Sequence, residues 1–374
     1  MAQADTNPPA PAPVEPLLLT RAGAGFGVDA VMRGLTTGAA VVILLMLAAL
    51  VAVLFHAARP SIDRFGWAFI TNAEWRPNDI VIEQTKLDAT GRPVIEDGEV
   101  VKEVVQTRPA EFGALAVIWG TAISSLIALV VAVPLSIGTA MFLVRIAPRW
   151  LVAPVSFLVE FLAAIPSIAY GIWGLFILTP FLQTHVEPAI QGALGSVPGL
   201  SWMFRATFTI GGESITRPMS LTGRDMFAGG LILGIMILPI ITAISRDVLR
   251  AVPRTQIEGT LALGATWWQS CREMIRYSRA GLFGAVMLGL ARAAGETMAV
   301  TMVIGNNNQI MASPFAPAQT MASLLANEFA EATSDLHRAA LTHVALILLM
   351  MSLLFNIIAR WLVVGKGART AAAH

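Results

Sequence analysis

Long apolar runs separated by shorter polar ones dominate this chain. Residues 34–58 contain no Asp, Glu, Lys or Arg, and a helix of that length crosses the roughly 30 Å of bilayer hydrocarbon. The run is longer than the apolar core of a signal peptide, so it predicts an uncleaved first span. Further runs at 113–144, 151–182, 226–248, 281–304 and 339–363 each approach or exceed the ~20 residues that a spanning helix needs. The pattern therefore predicts an all-α integral membrane protein of six transmembrane helices. Its organisation reads as a tail at 1–35, where "PPAPAPVEP" resists regular helix, and a first transmembrane helix at 36–57. An insertion follows at 58–112, then a transmembrane core at 113–363 with a polar loop at 249–280, and a tail at 364–374.

Two polar segments on the same side depart from this pattern. In 58–112, "IVIEQTKLDATGRPVIEDGEVVKEVV" sets short β-branched runs about a Gly-Arg-Pro turn signal, which predicts a small solvated hairpin; a mobile loop without a role is the plainer reading. Segment 183–225 is Gly-rich and punctuated by Pro, and with Trp202 and Phe204 it is expected near the membrane interface.

Composition agrees with the spans. Of 374 residues 56% are hydrophobic and 13% charged, about half the roughly 25% charge of soluble domains. The net charge of +1 is a balance between two sides of a membrane and does not suggest nucleic acid as a partner; lipid is the expected surroundings. Cys271 is the single cysteine, and the histidines at 56, 185, 337, 343 and 374 are scattered, so neither a disulfide framework nor a metal site is expected. With the N-terminus inside, the side holding both termini and the 246–280 segment carries thirteen Lys and Arg against six Asp and Glu; the other carries eleven against sixteen. The positive-inside rule thus places both termini in the cytoplasm of a multi-pass inner membrane protein.

With Arg246, Asp247 and Arg360 at span ends counted with the flanking loop and tail, three charged residues remain inside spans: Glu160, Arg292 and Glu296. A charge at a helix centre costs about 2.5–3.5 kcal/mol on insertion scales, so these residues are expected to face the bundle or an aqueous path. Arg292 and Glu296 stand four apart, with Arg first, the weaker order for a helical pair. Glu160 and Arg292 lie at similar depth from the cytoplasmic ends. Two readings stay open: a Glu160–Arg292–Glu296 network that fixes packing, or an arginine offering its planar fork to an oxyanion. In "AAIPSIAYGIWG", Pro166 cannot donate to the Leu162 carbonyl. A kink is expected there, with Ser167 or Tyr170 either serving the freed backbone group or lining the path. Pro134 and Pro239 interrupt two other spans.

The polar loop contains "IEGTLALGATWWQSCREMI", in which helical patterns at 255–263 and 266–275 flank Gly264. Glycine permits a left-handed turn between them. Such a pair suits docking into a groove on a soluble partner; a connector lying on lipid with Trp267 and Trp268 as anchors is the alternative.

"EGTLALGA" resembles the Glu-Ala-Ala-(three residues)-Gly loop of ABC importer permeases. Together with "WGTAISSLIALVVAVPLSIGTAMFL", "VEFLAAIPSIAYGIWGLF", "ILGIMILPIITAISRDVL", "RAAGETMAVTMVIGN" and "NEFAEA…LHRAAL", it makes most of 112–363 similar to the PstC-type permeases of phosphate ABC importers. Gly259 and Thr260 replace the usual Ala-Ala, and no proline closes the motif near Arg276 or Tyr277.

The resemblance implies a type I ABC importer permease bundle forming half of a phosphate pathway by alternating access. The implied partners are a PstA-type sister permease, a PstB-type ATPase dimer and a periplasmic phosphate-binding protein. It implies that Glu258, Leu263, Gly264 and Ala265 couple to the ATPase, with 249–280 as the coupling loop, and that Arg292, Glu296, Glu160, Ser167 and Tyr170 belong to the substrate pathway. It implies no catalytic residue or cofactor in this chain, with ATP-Mg on the partner; the sequence holds no Gly-(four residues)-Gly-Lys-Ser/Thr loop. A permease for sulfate or molybdate, and a secondary transporter or channel without ATP, are the alternatives.

Overall fold

The computed structural model describes residues 26–85, 95–96, 99–100, 102–210 and 213–371. The expected tail at 1–35 and the Gly-Arg-Pro signal at 91–93 fall wholly or largely outside these residues. The chain forms two compact units, up to Val53 and from Leu54 onward. The first is helical from Phe26. Helix α1 (Phe26–Phe65) continues past the expected end at 57 and through Pro60; beyond the division, Ala58 and Ser61 are buried.

Short α2 (Ala68–Thr71) follows. The insertion is a nest of antiparallel pairs: β1 (Trp75–Arg76), β2 (Ile80–Thr85), β3 (Ile95–Glu96), β4 (Glu99–Val100), β5 (Lys102–Arg108) and β6 (Glu111–Phe112), with β1 on β6, β2 on β5 and β3 on β4. The expected hairpin is present, and its base is held. Phe69 and Phe112 are buried with Met321, Leu324, Leu341 and Val344. Trp75 Nε1 donates to Glu328 Oε2 at 2.7 Å, and His337 Nε2 meets the same oxygen at 3.0 Å.

The core begins with α3 (Leu115–Met141), which runs on as a wider π turn to Ile146. Its buried positions include Gly120, Ser124, Ala128, Ala132, Ser136 and Ala140, one small residue every four. Without a hydrophobic drive between helices in lipid, such a stripe permits close backbone approach and dispersion contact. Next come α4 (Arg149–Ala164), α5 (Ser167–Trp173), α6 (Thr179–Phe181) and α7 (Glu187–Leu194), the last three joined by π turns into one rod. A short 3-10 turn leads to the hairpin β7 (Arg205–Ile210) and β8 (Glu213–Pro218). This hairpin was not anticipated, although "ATFTI" and "ESIT" flank Gly211-Gly212, a hairpin spacing.

Helix α8 (Met226–Arg250) packs its Gly230 and Gly234 against Ile127, Ser124 and Ala128 of α3. A Cβ on Gly230 would stand 2.6 Å from Ile127, so any larger residue forces these helices apart. Then follow α9 (Arg254–Ala262), α10 (Trp267–Tyr277), α11 (Arg279–Ala294), α12 (Met298–Val303), α13 (Met321–Glu328) and α14 (Asp335–Ala371). Helix α14 carries on through the start of the expected tail at 364.

Among the described residues five helical segments are long and apolar enough to cross a membrane: Ala30–Phe65, Leu115–Ile146, Ser167–Leu194, Met226–Arg250 and Asp335–Ile358. Two expected spans are divided. Residues 151–182 break at Ile165-Pro166, both extended, and 281–304 break at 295–297 into helices of 16 and 6 residues. The first cause is local: Pro166 has no N–H to continue the ladder; at the second, Gly295 caps α11 at φ −93° without a left-handed turn.

Candidate functional site

The two breaks lie in elements that pack together. Helices α5 and α12 are in contact, and Tyr170 is buried with Ile232, Met236, Ala299 and Val303. Gly171 faces Met302 and Ala299, where a Cβ would meet the Met302 sulfur at 2.8 Å. Tyr170 Oη donates to the Leu162 carbonyl at 2.8 Å, beside the Ile165 N–H at 3.4 Å, so the carbonyl that Pro166 cannot serve receives a hydroxyl one turn further on. Ser167 is half-buried, and no side-chain hydrogen bond of it occurs among the described residues. Non-helical backbone at membrane depth persists only where protein or a water-filled cavity surrounds it, which makes the 165–166 and 295–297 corners the place to look for a path.

Of the two readings left open, the Glu160–Arg292–Glu296 network is not formed among the described residues. Glu160 Oε1 accepts from Arg246 at 3.2 Å, and Arg246 Nε also donates to Asp247 Oδ1 at 3.2 Å. Helix α4 lies along α8, which sets this partner. Glu296 sits in the break, not on a helix face with Arg292, and no ion pair joins the two among the described residues. Glu296 is buried, at 8% exposure, whereas Arg292 is exposed in the last turn of α11. Among the described residues Arg292 thus has no ionic partner. Arg246 was the residue missed: its position near the polar loop counts it as loop charge, yet its side chain is 14% exposed within α8.

The 249–280 segment matches its reading closely. Helices α9 and α10 flank Gly264 at φ +82°, a left-handed turn that glycine adopts without steric cost. Thr266 and Gln269 form a reciprocal capping box at the start of α10, satisfying two backbone donors there. One face of the pair turns inward: Cys271 and Met274 are buried with Ala140, Met141, Leu249, Val252 and Leu282. The other carries Leu263 at 90% exposure and Trp268 at 70%. Glu258 and Ala262 are exposed and Ala265 half-buried. Glu258 also edges a cavity of about 480 Å³ shared with Arg145, Arg250 and Arg254. The loop is therefore wedged onto the ends of α3, α8 and α11 while an apolar tip projects.

Comparison with known proteins fits this geometry. Residues 132–365 match the family model described as binding-protein-dependent transport system inner membrane component. The phosphate transport system permease protein PstC of Mesorhizobium japonicum is 41% identical over 92% of this chain and 92% of its own. The PstC of Haemophilus influenzae is 38% identical over 90% of this chain and 93% of its own. Among solved structures, an inward-facing MetNI methionine ABC transporter superposes with TM-score 0.45 at 17% identity, over 67% of this chain and 94% of that one. The family model and the full-length relatives together settle the classification: this chain belongs to the inner membrane components of binding-protein-dependent transport systems, within the PstC family of permeases.

Proposed function

We propose that the chain is the permease subunit of an ATP-driven inorganic phosphate importer, forming half of the translocation pathway. The observation that carries this is the wedged helix–Gly–helix loop with its projecting Leu263, in a chain whose relatives along nearly its whole length bear the name phosphate transport system permease. A lipid-lying connector would bury its apolar tip in headgroups and would need no packed seat on three helices; docking into an ATPase needs both the seat and the tip.

The partners in this reading are a PstA-type permease completing the pathway, a PstB-type ATPase dimer carrying ATP-Mg, and a periplasmic phosphate-binding protein. Both termini and the 249–280 loop face the cytoplasm. Arg292 faces the pathway and reads the anion; Glu296, buried in the break beside it, repels the anion enough for release, since a path must let go as well as admit. Glu160 acts at one remove, through Arg246. Tyr170 and Ser167 shape the break, with Tyr170 in a structural part.

The test is ATP-dependent phosphate uptake by vesicles holding this chain with its neighbouring transporter subunits. Uptake of phosphate, and not of sulfate or molybdate, is expected, and it should vanish without the ATPase. Uptake persisting without ATPase would establish a secondary transporter instead. Orientation is checked by single cysteines without Cys271: one at Asp88 should react with an impermeant thiol reagent outside intact cells, and one at Arg369 should not.

A further inference from the structure

At the ends of the spans farthest from the coupling loop, two carboxyl groups meet out of reach of water. Glu187, at the start of α7, and Asp225, capping α8, both have no exposed surface. Asp225 Oδ1 accepts from the Ala228 N–H at 2.8 Å, and Glu187 Oε2 accepts from the Gly223 N–H at 3.2 Å. The remaining oxygens, Glu187 Oε1 and Asp225 Oδ2, are buried and meet no donor. Glu187 thus holds the backbone two residues before Asp225, and each carboxyl bears on the other's ionisation. Two like charges buried this near each other repel, and each free oxygen lacks a donor, so the arrangement favours one carboxyl protonated.

The surroundings offer no compensating cation. Among the described residues no Lys or Arg lies within ion-pair distance of either group. Arg224 is exposed and turns its backbone carbonyl toward Gly305. His185 is exposed and hydrogen-bonded to Thr184. Thr179 and Gln183, which flank Gly223, do not titrate. Segment 304–318 supplies the Ala316 and Pro314 carbonyls to Met226 and Phe227 and contains no titratable residue.

We propose that Glu187 and Asp225 form a proton-binding site, in which one shared proton clasps the Ser167–Leu194 span to the Met226–Arg250 span. Release is simple to write: the protonated carboxyl gives its proton to water, and two buried carboxylates remain facing each other. Their repulsion then loosens the clasp. Desolvation by burial, against the opposing Ala228 hydrogen bond and reinforced by the Glu187 charge, pushes Asp225 up to about 8, so the clasp is closed at neutral pH and opens in mild alkali.

The sign of the effect is fixed by that direction. An unfolded aspartate loses its proton near pH 3.8, whereas the folded pair keeps one until about 8. Between those values the folded state holds the extra proton, so stability falls as pH rises through the window and levels off above it. The experiment is thermal unfolding of the purified transporter complex from about pH 5 to about pH 9.5, wild type against the double variant Glu187→Gln with Asp225→Asn. The amides keep the helix cap without needing a proton. Wild type should lose several degrees of midpoint temperature between pH 5 and pH 8 that the double variant keeps. Parallel curves would overturn the proposal. Should the double variant fail to assemble, infrared titration of the wild-type complex decides: a protonated-carboxyl band lost near pH 8 is expected, and its absence throughout would equally overturn it.

Discussion

Glu160 meets Arg246, not Arg292, at 3.2 Å. The pairing ties α4 to α8 near the coupling loop, and among the described residues Arg292 has no ionic partner. Asp247 shares the arginine, so Glu160→Gln should leave Arg246 paired. The Glu160 side chain is 58% exposed, which limits its contribution to about 1 kcal/mol or less. Arg246→Ala removes both ion pairs and the packed stem. Membrane abundance and detergent thermal stability should therefore fall clearly in Arg246→Ala and little in Glu160→Gln. Equal losses in the two, matched by Arg292→Gln, would restore the network that the sequence suggested.

Arg292 separates a structural from a transporting role. Arg292→Lys keeps the charge and loses the planar fork; loss of a single charge-assisted hydrogen bond, about 1.5 kcal/mol, is roughly tenfold in affinity. Phosphate uptake should drop by about that factor or more while abundance stays normal. Because no ion pair joins Arg292 to Glu296, neutralising both as Gln should assemble and fail to transport. Transport by that double variant would remove Arg292 from the pathway.

Gly264 stands at φ +82° with open space around its missing Cβ. Backbone strain, and not crowding, is what a side chain would meet there, roughly 1–2 kcal/mol for a left-handed residue. Gly264→Val should turn the Leu263 tip and reduce both ATPase co-purification and uptake, with Gly264→Asn milder because Asn tolerates this region. Wild-type coupling in Gly264→Val would show that the loop does not dock through this turn.

Tyr170→Phe deletes only the hydroxyl that serves the Leu162 carbonyl. The Leu162 carbonyl keeps the Ile165 N–H at 3.4 Å, so the expected loss is about 0.5–1.5 kcal/mol of stability, the net worth of one hydrogen bond, with uptake retained at moderate temperature. Uptake abolished at full stability would instead make Tyr170 a pathway contact.

The sequence alone determined the membrane character, the run of apolar segments, the hairpin of the insertion and the helix–Gly–helix loop. Each follows from a local property: hydropathy over twenty residues, turn chemistry, or a glycine between two amphipathic patterns. It also located the Pro166 disruption and named Tyr170 as a possible remedy, since a missing N–H and a nearby hydroxyl are both written in the chain. The stripe from Gly120 to Ala140 was equally legible as a four-residue repeat, but its meaning depends on Gly230 and Gly234 of a helix about a hundred residues away.

Tertiary structure alone decided the ion pairs and the two broken spans. Glu160 and Arg292 share a depth, and depth is one coordinate; the partner is set by which helix lies alongside, and α8 brings Arg246 there. The run at 281–304 is apolar enough for a single helix, yet Gly295 ends it and the packing of α12 against α5 and α8 fixes the bend. Glu187 and Asp225 lie 38 positions apart in the sequence, in a segment that reads as ordinary interface, and only the tertiary fold sets Glu187 against the turn that carries Asp225, where water does not reach.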